Sequence, residues 1–201
     1  MSNRYLLIAL ATIAGFTGAS YYAVEYIEAK VYPLPVYGPE DHEIELFQLT
    51  NQKDELFNSS NHLDKIWVVN TFFTSCPSIC PKMMRNMQSV HDIVRSEEDI
   101  VLISLTVDPK RDTPERFMTY LDNFNVNHSS WQLLTGEKSD LYRLARKSFL
   151  VSATDGAGDE YDFIHSENIV VVDQEGKIRN FVNGTAEDAD EKILKTIKRL
   201  K

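Results

Sequence analysis

Cysteine is scarce in this 201-residue chain, which has two, Cys76 and Cys80. A disulfide-stapled miniprotein and a four-cysteine zinc finger are therefore both excluded. Basic residues are also in deficit, 21 against 30 acidic ones, for a formal net charge of −9. That balance leaves no basic footprint for nucleic acid. There is no internal repeat and no low-complexity tract. The length allows one ordinary domain plus some extra chain, and 43% apolar with 25% charged residues supports a normal core rather than wholesale disorder.

One long stretch lacks charge altogether. Residues 5–24 (YLLIALATIAGFTGASYYAV) carry none, and as a helix they would span about 30 Å, the thickness of a bilayer hydrocarbon core. Tyr21, Tyr22 and Tyr26 fall where an interfacial aromatic belt belongs. Two readings fit. One is a retained transmembrane anchor; the other is a signal peptide, with Arg4 as its basic region and Gly18-Ala19-Ser20 as a small-residue cleavage site. The apolar run continues past Ser20, which favours the anchor. Both readings export the remainder of the chain, and Arg4 before the run agrees with that orientation. With one arginine and no amphipathic Arg-rich presequence, the expected home is a bacterial inner membrane. The expected topology is single-pass, with the C-terminal domain on the periplasmic side. Arg4 and Lys30 balance Glu25 and Glu28, so the acidic excess belongs to residues 31–201.

The expected organisation is an anchor over 1–24, a linker over 25–40 and one domain over 41–201. Pro33, Pro35, Gly38 and Pro39 stiffen residues 31–40 into an extended connection. Residues 44–49 alternate loosely and read as a short edge strand, with a turn at Asn51-Gln52. Residues 66–73 (IWVVNTFF) and 100–107 (IVLISLTV) read as strands buried on both faces. Between them, Met83, Met84, Met87, Val90, Ile93 and Val94 fit one face of a helix. Asp112 or Thr113 is placed to cap the next helix, with Pro114 in its first turn and Phe117, Tyr120, Leu121 and Phe124 on its apolar face. Residues 131–134 form a further strand, and Leu141, Leu144, Ala145, Phe149 and Leu150 a further helical stripe. Residues 168–173 and 177–182 make a hairpin, and 187–201 a closing amphipathic helix through Ile193, Leu194, Ile197 and Leu200. The order β-α-β-α-β-α, then β-β-α, predicts a mixed sheet covered by helices: an α/β, thioredoxin-like layout.

Cys76 and Cys80 sit where the first central strand gives way to a helix. In a helical first turn, i and i+4 side chains share a face, and exposed amides there lower thiol pKa values. Thiolate is the form that binds metal and attacks disulfides. Buried inert cysteines, or a structural disulfide, are the plain alternative. Two thiolates suit Cu(I), and an added imidazole extends the site to Cu(II). Zinc would want a fourth ligand, and there is no third cysteine. A histidine is therefore the expected extra ligand, and five are available. His42 and His62 fall in polar, exposed-looking stretches. His91 is about 16 Å along its helix from Cys80, too far to share a ligand sphere. His128 lies in a turn-like segment, and His165 approaches a hydrophobic strand after the acidic residues 155–162 with Gly156 and Gly158. A lone histidine is more often structural than a ligand, and on residue pattern alone that holds for His165 too.

Four motifs in order, Thr74-Ser75-Cys76-Pro77-Ser78-Ile79-Cys80-Pro81, Val107-Asp108-Pro109-Lys110-Arg111-Asp112-Thr113, Leu134-Thr135-Gly136, and His165 before the 168–173 strand, resemble the Sco/SenC family. These are membrane-tethered, thioredoxin-fold copper proteins, and the resemblance runs from about residue 44 to the C-terminus. It implies that Cys76, Cys80 and His165 hold one copper ion. It also implies that the domain donates copper to, or reduces the cysteines of, the binuclear copper site of cytochrome c oxidase subunit II. Another copper acceptor and thiol reductants are the further implied partners. Asp108, Arg111 and Asp112 match the second motif, with a role in shaping the nearby loop or in helix capping. Phe163-Ile164 replaces the Val-Asp pair of many relatives, so an outer carboxylate for the imidazole is absent or comes from Asp162. The competing class is a membrane-anchored thiol-disulfide oxidoreductase or peroxidase acting through Cys76 and Cys80; a third is a membrane-attached scaffold.

Overall fold

A computed structural model describes residues 3–31, 33–124, 130–155 and 163–201. The chain divides into two units, Met1–Pro35 and Val36–Lys201. The first is one helix, α1 (Asn3–Val31). Its window Leu7–Val24, with mean hydropathy 1.5, is long and apolar enough to cross a membrane. The helix continues beyond residue 24, so the first part of the expected linker is helical, as good helix formers such as Glu25, Glu28, Ala29 and Lys30 favour.

The second unit is built on a seven-stranded mixed sheet. At its centre β3 (Ile66–Phe72) and β4 (Ile100–Thr106) are parallel and buried along their whole length. Runs this apolar need cover on both faces, which a strand–helix–strand crossover supplies. β5 (Trp131–Thr135) extends the parallel part beside β4, while β8 (Asn168–Val172) and β9 (Ile178–Asn183) add antiparallel strands beside β3. Gly176, at φ 74°, makes the tight turn of this second hairpin. A hairpin of β1 (Gln48–Asn51) and β2 (Leu56–Asn58) completes the order β2-β1-β5-β4-β3-β8-β9. The strand expected at 44–49 thus starts at Gln48, and it is an inner strand, because β2 takes the edge. The opposite edge is blunted by Tyr37, whose N–H bonds Ile178 O at 2.9 Å and whose ring meets Phe181 edge-on.

The helices follow the apolar periodicity with two corrections. α2 (Ile79–Val94) buries Cys80, Met83, Met84, Met87, Val90 and Val94, but Ile93 is 61% exposed because it lies about a third of a turn from the centre of that stripe. α3 (Pro114–Asp122) is capped by Thr113, which accepts from Arg116 N–H at 3.3 Å. α4 (Lys138–Arg143) widens into a π-turn over Leu144–Ser148. The helical stripe ends there: Leu150 adopts φ 54° and is 37% exposed rather than joining the core. α5 (Ala189–Leu200) closes the chain and packs on α2. A separate two-stranded sheet, β6 (Ala153–Asp155) with β7 (Phe163–His165), precedes β8.

Candidate metal centre

β3 delivers its last side chain, Phe72, into the core and then stops, so the chain must turn before α2 can begin. Cys76 N–H bonds Phe73 O at 3.2 Å in that turn. The helix starts only at Ile79, and Ser78 provides no side-chain cap. Instead the amide of Cys80 donates to Cys76 Sγ at 3.4 Å, so a sulfur serves one of the orphan helix amides. The two cysteines are therefore brought together by capping rather than by sharing a helical face. Both are buried, at 9% and 0% exposure, and both are thiols.

The Cys80 thiol hydrogen-bonds Cys76, and that contact is the main reason its pKa is driven far up. Burial and the negative charge that Cys76 would carry push the same way, against a lowering bond from the Phe73 backbone. The helix N-terminus was expected to depress the thiol; at Cys80, a shared proton and desolvation prevail. Cys80 is thus the partner that keeps its proton.

The loop is pinned from the neighbouring strand. Asp112 is fully buried and accepts from Thr74 N–H at 3.3 and 3.2 Å, from Thr74 Oγ1 at 2.5 Å and from Thr106 Oγ1 at 2.5 Å. Burial raises its pKa, and the bonds from Thr106 and Thr74 offset part of that. Arg116 Nε donates to Thr74 Oγ1 at 2.6 Å and stands 4.0 Å from the Asp112 carboxylate. Asp108 pairs with Arg111 and is held through its own N–H on Thr106 Oγ1 at 2.9 Å. Of the two capping candidates, Thr113 takes the cap and Asp112 ties the cysteine loop to the end of β4.

The histidines divide by position. His91 is buried in α2 with its ring 5.9 Å from that of Trp131. His42 and His62, expected to be exposed, are partly covered: His42 Nε2 is 2.8 Å from Ser148 O, and the His62 ring stacks on Phe57 at 4.6 Å. His165 is described through its backbone, in β7 opposite Ala153, and so belongs to a short strand. His128, Gly156, Gly158 and Asp162 lie outside the described residues. Among the described residues no three metal-binding side chains converge. Thr74, Thr106, Arg116 and Tyr120 were not read as site residues from sequence. Only the adjacency of Thr74 to the cysteine motif hinted at one of them.

A mixed sheet with a dithiol at the junction of a central strand and its helix defines a thioredoxin-like protein of redox or metal-handling type. The SCO1/SenC family model matches residues 37–201, and the chain belongs to that family. An SCO2-like protein of Rickettsia typhi is 34% identical over 142 residues, 68% of each chain. A SCO1/SenC family lipoprotein from Bacillus anthracis superposes with TM-score 0.73 at 29% identity, covering 83% of this chain and 99% of that one. BsSco, a Sco-family cytochrome c oxidase assembly protein whose structure identified a disulfide switch, gives 0.69 at 26%, covering 83% and 98%. ScoI from Bradyrhizobium japonicum, solved with copper bound, shares the fold at 0.63 and 22%, covering 78% of this chain and 98% of that one.

Proposed function

We propose that this chain is a membrane-anchored copper carrier for cytochrome c oxidase assembly. Cys76, Cys80 and His165 take one copper ion, Cu(I) or Cu(II), and the acceptor is the binuclear site of subunit II. The observation that carries the reading is the pair of buried cysteines at the start of α2, the Cys80 amide and thiol both hydrogen-bonded to Cys76, in a chain of this family. Two soft donors shielded from water fit copper, and an imidazole as third ligand leaves coordination open enough for transfer. Loading exchanges protons for metal: each thiol loses its proton as it becomes a ligand. The raised Cys80 pKa means that this thiol keeps its proton until a metal ion displaces it. Oxidation of the pair to a Cys76–Cys80 disulfide gives up two electrons and two protons. The same two electrons reduce one disulfide of an acceptor, and a disulfide no longer holds copper. The anchor is α1, in a bacterial inner membrane, with the domain on the periplasmic side.

The rival, a thiol-disulfide oxidoreductase or peroxidase, uses the same sulfurs without needing a metal. Metal content and ligand spectroscopy of wild type beside His165→Ala and Cys80→Ser separate the two. The copper reading expects about one ion per wild-type chain, none on Cys80→Ser, and altered Cu(II) binding on His165→Ala. Absence of copper from the reduced wild type, with thiol exchange intact, selects the oxidoreductase.

A further inference from the structure

Two hydroxyls near the cysteine pair are buried and make no hydrogen bond among the described residues, Tyr120 Oη and Ser75 Oγ. A buried hydroxyl without a partner is destabilising, and both belong to one site. Ser75 directly precedes Cys76. The Tyr120 ring is held between Phe72, the last residue of β3, at 5.8 Å, and Phe124 at 5.3 Å, so its hydroxyl has little room to swing towards water. Tyr120 also lines a cleft of about 540 Å³ with Thr74, Arg111 and Arg116. After burial, the groups that press on its hydroxyl are Cys80, Cys76 and Asp112, opposed by Arg85, and together they hold the phenol firmly protonated. It is a donor beside the cysteine loop, sharing a cleft with Thr74 two residues before Cys76, where a sulfur that keeps its proton is a weak acceptor.

Metal loading changes the sulfurs, not the tyrosine: each loses a proton and becomes an anionic acceptor. We propose that Tyr120 is a positioning residue for the loaded site, its buried hydroxyl held ready to donate a hydrogen bond to the metal-bound thiolates, with Ser75 as a second donor. This rests on the copper reading above and accounts for both unpartnered hydroxyls by one cause. Removing an outer-shell hydrogen bond to a metal ligand typically costs about 10–100-fold in affinity.

Tyr120→Phe keeps the ring and deletes the donor. It is compared with wild type as full chain in detergent by Cu(I) competition against bicinchoninate. The sulfur-to-Cu(II) charge-transfer band and thermal unfolding of the metal-free protein are measured alongside. The expected result is about tenfold weaker Cu(I) binding and a displaced band. The metal-free unfolding midpoint is expected to be equal to or above wild type, since an unsatisfied hydroxyl has gone. Ser75→Ala is expected to weaken Cu(I) binding by a smaller factor. Unchanged affinity and band in Tyr120→Phe, beside a wild type that binds copper, overturns the inference and leaves the copper reading standing. A lowered metal-free midpoint that accompanies the weaker binding also overturns it, assigning Tyr120 to packing. A wild type that takes up no copper overturns both.

Discussion

At one end of β3, Trp67 meets Phe47 and Phe149 with ring centroids 6.1 and 6.5 Å apart, Phe47 stacks on Phe57 at 5.9 Å, and Trp67 Nε1 donates to His62 O at 2.8 Å. At the other end, the Phe72 side chain is followed by a loop held through Thr74, Asp112 and Thr106, with two hydroxyls and two thiols buried beside it. The first end gains stability from apolar area and ring contacts that are indifferent to chemical state. The second buries polar groups whose bonding depends on which protons the sulfurs hold, and such groups stabilise only when satisfied. One strand therefore has a structural end and a chemical end.

The sharpest way to break this contrast is at the aromatic end. Trp67→Ala is expected to cost about 3–5 kcal/mol in chemical denaturation while leaving copper stoichiometry at one ion in the fraction that stays folded. A change in metal ligand spectra on that variant would mean that the two ends are not independent. Next comes Asp112→Ala, which strands the Thr74 amide and the Thr106 hydroxyl. A stability loss of about 2–3 kcal/mol is expected, with Asp112→Asn losing less, and here the dithiol midpoint potential should move as well. Potential and stability that change separately would detach Asp112 from the loop. Leu150→Gly relieves a left-handed backbone position at the end of the π-turn and should gain about 1 kcal/mol, less whatever burial the leucine supplies. The gain should appear in the unfolding midpoint without altering copper uptake.

The smallest effect concerns pH. Burial and then Lys65 hold His62 below its ordinary value of 6.5. A base depressed in the fold binds its proton first in the unfolded chain, so stability falls as pH drops through about 6.5 and levels off below the folded-state pKa. His62→Gln should flatten the denaturation midpoint over that window. An unchanged slope would move the acid sensitivity to the cysteine end.

Much of the structural end was legible in the sequence. Two apolar runs with helical stripes between them permit few arrangements, and the parallel centre of the sheet followed from that alternation. Where the reading went astray, local pattern met tertiary competition. Ile93 matches an apolar pattern but projects off the buried stripe, Leu150 ends a helix that had already widened, and the strand expected at the edge was enclosed by a three-residue neighbour. The chemical end was legible only as residue types in order. Cys76, Cys80 and Asp112 stood out, whereas Tyr120 counted only as part of an apolar face. A helical stripe records which residues face inward and is silent on what they meet there.

The sequence by itself determined the scarcity that matters, two sulfurs and no third, at the junction of a buried strand and its helix. It also determined the long uncharged helix and the family to which the motifs belong. The tertiary structure decided the rest, because the loop that carries these sulfurs is buried and held by groups distant along the chain. Asp112 reaches back to Thr74, Thr106 crosses from β4, and Tyr120 arrives from α3. Helix position alone would have made Cys80 acidic. Burial beside a second sulfur made it hold its proton, since two negative charges cannot share a dry site without a cation between them.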